Sequence, residues 1–116
     1  MKNILIVDDD LCFCTFMLDV LRESLGKDVK ISFVQLPSEA VRMLDGIHFD
    51  IVFIDINMAE MNGFKLWSIL KEVHADTKYI LMSGSPLTEE QNRLFSDNFI
   101  SKPFDDGEVV AFVKCV

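Results

Sequence analysis

Short apolar runs recur along the chain, and segments with helix-like patterns separate them. Residues 4–7 and 51–54 are apolar at all four positions, which is typical of strands that are buried on both faces of a sheet. Less regular runs occupy residues 31–34, 79–82 and 99–100. The pattern predicts five short strands in a parallel sheet.

The segments between the runs carry recognisable helix starts and stops. The predicted starts are Asp10, Ser38 with Glu39, the position after Gly63, the capping box of Thr88 and Gln91, and Asp105 or Asp106. Gly26 ends the first helix as a residue that accepts positive φ, Gly46 ends the second, and the fifth runs to Val116. In the first helix, one apolar stripe is predicted to face the core: Phe13, Phe16, Met17, Val20 and Leu21.

Five strand–helix repeats predict an α/β fold. Right-handed crossovers between parallel strands give a doubly wound five-stranded sheet with helices on both faces. We expect residues 1–116 to form one domain, because this length is typical of a single core and nothing in the sequence suggests a linker or repeat. In such sheets ligands bind at the carboxyl ends of the strands.

Composition narrows the class of protein. The 19 acidic and 11 basic residues give a net charge of −8, which disfavours binding to a nucleic-acid backbone. No membrane span is predicted, because no apolar run reaches the ~18 residues that a span needs. The N-terminus also lacks the pattern of a signal peptide. Cys12, Cys14 and Cys115 are an odd set that favours a reducing cytoplasm over a disulfide scaffold.

Acidic residues stand at two predicted strand ends. The first strand runs into Asp8, Asp9 and Asp10, and the third ends at Asp55. Carboxylates that meet at one edge of a sheet repel one another unless a cation lies among them. Oxygen ligands of this kind suit a hard divalent ion, above all Mg²⁺, to which the backbone carbonyl of Asn57 can add a neutral oxygen.

A hydroxyl and an ammonium stand at two further strand ends. Ser83 ends the fourth run and Lys102 follows the fifth, and both are donors that a bound phosphoryl group needs. Each residue alone has a simpler interpretation, because Asp commonly caps helices and lone Lys is commonly solvated. Together they suit phosphoryl transfer to an aspartate, where catalysis is mainly positioning and charge neutralisation.

These motifs resemble the receiver domain of two-component response regulators, the chemotaxis-regulator-like proteins. The resemblance lies in residues 4–10, 50–55, 58–63, 82–84 and 101–104, which together span nearly the whole chain. It implies a flavodoxin-like (βα)5 receiver fold. It also implies a switch that controls a partner or an output domain, not a conventional enzyme, because the domain promotes its own phosphorylation and dephosphorylation and turns over no separate product.

The resemblance also implies a role for each site residue. Asp55 would accept the phosphoryl group from a histidine kinase or a histidine phosphotransfer protein. Asp9 and Asp55 would ligate Mg²⁺ directly, Asp8 through water, and Asn57 through its carbonyl. Lys102 would pair with the phosphoryl group, ahead of a cis peptide to Pro103. Ser83 and Phe99 would form the switch.

Three departures from the family pattern concern the surface near the site. Ala59 stands where receivers usually have proline. The separation from Ser83 to Lys102, 102 − 83 = 19 positions, is shorter than usual, and residues 96–98 replace the usual Gly-Ala. We expect a shortened or reshaped fourth helix, so the common receiver dimer is not assumed.

A second apolar line on the first helix suggests a docking surface. Leu11, Cys14 and Leu18 follow helical spacing and are expected to face away from the core, where they would contact a helix of the kinase or phosphotransfer protein. Incidental surface apolarity explains the line equally well.

Three other functions remain as alternatives. An aspartate-dependent phosphatase would have a second acid two residues after the nucleophile, where this chain has Asn57. A flavodoxin-type flavin carrier would have a phosphate-binding loop after the first strand, where three aspartates stand. A receiver-like interaction module that works without phosphorylation is the third. The sequence leaves open whether the chain is a stand-alone regulator or one domain of a longer protein.

Overall fold

The computed structural model describes residues 2–102 and 106–114. Its strands are β1 (Lys2–Val7), β2 (Val29–Val34), β3 (Ile51–Asp55), β4 (Lys78–Ser83) and β5 (Phe99–Ser101). Its α-helices are α1 (Leu11–Leu25), α2 (Pro37–Gly46), α3 (Gly63–Val73), α4 (Glu89–Phe95) and α5 (Asp106–Lys114). Short 3₁₀ turns, Gly26–Asp28 and Ser96–Asn98, lead into β2 and β5. Five strands and five helices therefore alternate as predicted.

All strand pairs are parallel, and the sheet order is β2-β1-β3-β4-β5. The chain leaves β1 toward one edge of the sheet to form β2 and then crosses back to place β3 on the other side of β1. Strand order therefore reverses between β1 and β3. Open α/β sheets bind ligands at this switch point, outside the carboxyl ends of the two strands.

Two apolar cores cover the two faces of the sheet. Leu5 and Val7 of β1 pack in one core, while Ile4 and Ile6 pack in the other, because successive side chains of a strand point to opposite faces. The first core includes residues of α2, α3 and α4, and the second includes residues of α1 and α5. Burial on both faces explains why the central strands are continuous apolar runs.

Local signals set most helix ends. Asp10 caps α1 by accepting from the backbone N–H of Cys12, and Gly26 follows it with φ 62°. Thr88 and Gln91 form the predicted capping box of α4. The start of α2 differs by one residue from the prediction, because Pro37 takes the first helical position, where its fixed φ fits and its missing N–H is not needed.

Two predictions about α1 are wrong. The apolar stripe predicts Phe16 in the core, but its side chain is 45% exposed. The second apolar line predicts that Cys14 faces outward, but Cys14 is fully buried. Cys14 shares the sheet-facing side of the helix with Met17 and Leu21, and its thiol donates to the backbone carbonyl of Asp8 at 3.3 Å.

Burial raises the pKa of Cys14 to about 12, so its thiol stays protonated. The docking line of Leu11, Cys14 and Leu18 is therefore reduced to Leu11, which is 49% exposed, and the half-buried Leu18.

Some predictions lie outside the described residues: the cis peptide to Pro103, the cap at Asp105 and the helix end at Val116. Within the described ranges, every helix is too short or too polar to cross a membrane.

Candidate functional site

The predicted site residues meet at the carboxyl edge of the sheet. Asp8 and Asp9 follow β1, Asp55 ends β3, Ser83 ends β4, and Lys102 follows β5. The parallel register holds these ends together: Asp55 pairs with Met82, and Ser83 pairs with Ser101. The backbone N–H of Lys102 also donates to the carbonyl of Ser83 at 2.8 Å. The fold thus brings side chains from four strands to one place.

Three carboxylates form a compact acidic cluster. One oxygen from each of Asp8, Asp9 and Asp55 lies within 4.8 Å of the other two. Asp8 is fully buried and Asp55 is 6% exposed, whereas Asp9 faces solvent. Asp8 is fixed by the backbone N–H of Asp10, which donates to it at 2.9 Å. Closely spaced oxygens of this kind, open to solvent on one side, are suited to a hard divalent cation.

Lys102 neutralises part of the cluster. Its Nζ lies 2.7 Å from Asp8 Oδ2 and 3.7 Å from Asp55 Oδ1. Asp55 nevertheless holds its proton unusually well: burial, and then the charge of Asp8, raise its pKa to about 6, although Lys102 and the N–H of Asn57 oppose the shift. Burial and the charge of Asp8 thus destabilise the ionised form of Asp55, and an added positive charge beside it would stabilise that form.

Ser83 joins the loop after Asp55 to the loop after β4. Its buried Oγ accepts from Asn57 Nδ2 at 3.1 Å and from the backbone N–H of Ser85 at 3.0 Å. Phe99, the predicted partner in the switch, is half-buried and packs against the first core. The Ser83 hydroxyl thus contacts Asn57, which lies two residues after Asp55. Phe99 lies on the neighbouring strand, two positions before Ser101, which pairs with Ser83.

The loop after Asp55 is held by backbone hydrogen bonds. Ile56 donates to Met82 O, and Gly63 donates to Ile56 O, each at 2.9 Å. The N–H of Ala59 donates to Asp9 Oδ2 at 3.4 Å. Proline, the usual family residue at position 59, has no N–H to donate, so this departure supplies a contact with the acidic cluster.

The sequence pattern does not predict the roles of three residues at the site, Asn62, Gly63 and Phe13. Asn62 caps α3 by accepting from Lys65 N. A Cβ at Gly63 would lie 2.5 Å from the backbone oxygen of Asp55, so only glycine fits there without a shift. Phe13 was assigned to the core alone, but its ring also faces Lys102 Nζ, 3.9 Å from the ring centroid. The Asn62-Gly63 pair is typical of a turn and could have indicated the first two roles. Nothing in the sequence around Phe13 indicates its contact with Lys102.

The region between Ser83 and Lys102 has the expected compact form. Helix α4 has seven residues and is followed directly by a 3₁₀ turn. Phe95, the last residue of α4, packs against α3. Its ring contacts the ring of Trp67 edge-on, with centroids 4.9 Å apart, and the ring of Phe64, with centroids 5.2 Å apart. Trp67, the one tryptophan of the chain, therefore reports on α4.

The fold, the acidic cluster and the lysine together define the class of protein. Residues 4–114 match the model of a family described as "Response regulator receiver domain". The chain belongs to this family, and it is a phosphoacceptor domain of two-component signalling.

Individual relatives agree with this assignment. The chain is 30% identical over 118 residues to the transcriptional regulatory protein CpxR of Escherichia coli, a match that covers 100% of this chain and 49% of CpxR. The chain thus spans about half the length of the first curated relatives it matches.

Solved structures show the same fold. A CheY-like receiver domain from Methanospirillum hungatei is 27% identical, with a TM-score of 0.81 and coverage of 98% of this chain and 91% of that one. The response regulator TrrA of Thermotoga maritima, solved in complex with Mg²⁺-BeF, is 24% identical, with a TM-score of 0.85 and coverage of 98% and 97%.

Proposed function

We propose that Asp55 is the residue that accepts the phosphoryl group. One observation carries the proposal: Asp55 ends a central strand with its carboxylate in a three-acid cluster and 3.7 Å from the ammonium of Lys102. Asp55 thus lies beside two acids that can help to hold a cation, Asp8 and Asp9, and beside an ammonium that can bind phosphoryl oxygens, that of Lys102. This arrangement supports phosphoryl transfer by positioning and charge neutralisation.

The proposed donor is a phosphohistidine of a histidine kinase or a histidine phosphotransfer protein. A carboxylate oxygen of Asp55 bonds to phosphorus while the phosphorus–nitrogen bond breaks. The imidazole nitrogen keeps that electron pair, and the ring leaves as neutral imidazole because its other nitrogen carries a proton. Lys102 then neutralises phosphoryl oxygens, and the Ser83 hydroxyl donates to one of them. Asp55 reacts as the carboxylate, which at neutral pH is favoured because its pKa is about 6.

The donor set fits Mg²⁺. Asp8, Asp9 and Asp55 offer carboxylate oxygens within 4.8 Å of one another, and we propose that the backbone carbonyl of Asn57 completes the protein ligands. Asp9 and Asp55 would bind the ion directly and Asp8 through water. When bound, Mg²⁺ supplies positive charge that offsets the repulsion among the carboxylates and the phosphoryl oxygens.

The test of this function is the intact mass of the protein after incubation with Mg²⁺ and a small phosphodonor. We expect one added phosphoryl group in the parent, none in Asp55→Asn, and none when Mg²⁺ is chelated. Asp45→Asn is the matched control, because the Asp45 side chain lies at the surface, 69% exposed, and it should be phosphorylated like the parent. A folded parent that gains no mass would favour the phosphorylation-independent interaction module.

Ser83 and Phe99 are the proposed switch. We expect Ser83→Ala to reduce the change in Trp67 fluorescence on phosphorylation severalfold, because the hydroxyl that bonds Asn57 and can turn to the phosphoryl group is lost. Ser85→Ala is the control, since Ser85 offers only its backbone N–H to Ser83. A full fluorescence change in phosphorylated Ser83→Ala would contradict the switch role.

Leu11 and Leu18 are the proposed remainder of the docking surface. Leu11 lies at the first position of α1, next to the acidic cluster, and is half exposed. We expect Leu11→Glu to slow transfer from a cognate phosphohistidine protein about tenfold, since a charge replaces an apolar contact, while phosphorylation by a small donor stays unchanged. Equal slowing with both donors would contradict docking at this position.

The remaining assignments belong to the same proposal. Residues 1–116 form one receiver domain, which regulates a partner or an output domain and is not a conventional enzyme. A cytoplasmic location agrees with free Cys12 and Cys14. These statements concern the domain, because this chain spans half or less of the length of the first curated relatives.

A further inference from the structure

We infer that Phe13 is a positioning residue for phosphorylation and that its ring face holds the Lys102 ammonium beside Asp55. The inference rests on the proposed function of Asp55. It adds a role for a residue of α1 that the receiver motifs do not include and that the sequence pattern assigns to the core.

The geometry around Lys102 carries the inference. Its Nζ lies 3.9 Å from the centroid of the Phe13 ring, 2.7 Å from Asp8 Oδ2 and 3.7 Å from Asp55 Oδ1. The distance to the ring is well inside the range in which the negative face of an aromatic ring attracts a cation. The Lys102 side chain is only 22% exposed, so water screens this attraction incompletely.

The ring itself is anchored. Phe13 lies in the first turn of α1, whose start is fixed by Asp10, and it packs against the second core. Its ring also contacts the ring of Phe16 in a tilted arrangement, with centroids 6.3 Å apart. Residues 8–10 join β1 directly to α1. Asp8 and Phe13 therefore lie close together in the chain, and both contact Lys102.

An aromatic face suits this task better than another hydrogen-bond acceptor. A new phosphoryl group on Asp55 requires the ammonium to exchange part of its contact with Asp8 for phosphoryl oxygens. Attraction to a ring face depends weakly on direction, so the ammonium can shift while its N–H groups that point away from the ring donate to oxygens. The flexible lysine side chain thereby stays ordered during the exchange.

Replacement of position 13 separates ring electrostatics from packing. We expect Phe13→Leu to lower the second-order rate constant for phosphorylation by a small phosphodonor about tenfold, which corresponds to about 1.4 kcal/mol. Phe13→Tyr should stay within about twofold of the parent, because the ring remains. Pentafluorophenylalanine at position 13 keeps the ring shape but weakens its negative face, so it should behave like leucine. Phe112→Leu is the control and should keep the parent rate, because Phe112 also packs half-buried against the second core but its ring faces Lys78.

A second measurement reports placement without any reaction. In the unphosphorylated parent, the Lys102 Hε protons should show upfield NMR shifts from the ring, which Phe13→Tyr retains and Phe13→Leu loses. Unshifted protons in the parent, or parent-like rates in folded Phe13→Leu and pentafluorophenylalanine proteins, overturn this inference alone. A parent that gains no phosphoryl group overturns the proposed function, and the positioning role with it.

Discussion

Replacing Gly63 with alanine is expected to lower the free energy of unfolding by about 1–3 kcal/mol and to slow phosphorylation of Asp55. A Cβ at this position would lie 2.5 Å from the backbone oxygen of Asp55 and 2.7 Å from Ile56 Cα. Both contacts are with backbone, which cannot rotate aside as a side chain can. The methyl group therefore pushes directly on the residue proposed to accept the phosphoryl group.

Gly46→Ala is the matched control for Gly63→Ala. An added Cβ at Gly46, the last residue of α2, meets nothing within 4 Å. Alanine there should be neutral, or stabilising by up to about 1 kcal/mol, because it restricts the unfolded chain. Urea unfolding of both variants measures the difference in stability, and the intact-mass assay measures phosphorylation. Equal stability of Gly63→Ala and the parent would mean that the loop after Asp55 yields more freely than its hydrogen bonds indicate.

Asp55→Asn is expected to stabilise the metal-free protein at neutral pH. Burial and the charge of Asp8 raise the pKa of Asp55 to about 6, above its ordinary 3.8. The folded protein thus favours the protonated form, and the stability that this group contributes is complete below pH 3.8 and is lost as pH rises through about 6. Full conversion of this difference gives about 3 kcal/mol, and we expect Asn to recover about 1–3 kcal/mol.

The pH dependence distinguishes this effect from a general change in packing. Unfolding curves of the parent and Asp55→Asn, recorded without divalent ions between about pH 4 and pH 8, should diverge as pH rises. Added Mg²⁺ should narrow the gap, because a cation among the carboxylates offsets their repulsion. Asp19→Asn, an exposed replacement on α1 that removes none of the ion pairs among the described residues, should follow the parent at every pH. A gap that does not change with pH would contradict the electrostatic account.

The sequence predicted the sheet and the main site residues because both depend on short local patterns. Apolar runs mark the buried strands, and in a parallel sheet their carboxyl ends share one edge, which brings Asp55, Ser83 and Lys102 together. The capping hydrogen bonds of Asp10, Thr88 and Gln91 are made with backbone groups of the same helix turn. These caps could therefore be predicted from the local sequence alone. The order of the strands could not be read in this way, although it places the switch point beside Asp55.

Long-range contacts explain what the sequence did not predict. Helix α1 is apolar on more than one side, so its pattern could not show whether Cys14 or Phe16 faces the sheet, and both were assigned wrongly. The contact between Phe13 and Lys102 joins the first helix to the last described strand end. No periodicity encodes such a pair, because it depends on how two elements pack.

The measurement that tests the central claim most directly is chemical mapping of the phosphorylated residue. The protein is phosphorylated with Mg²⁺ and a small phosphodonor, reduced with borohydride, which converts an aspartyl phosphate to homoserine, and digested for peptide mass spectrometry. We predict homoserine at position 55 and unmodified Asp8, Asp9 and Asp10. Homoserine at one of those three residues, with Asp55 unmodified, would contradict the account of this site.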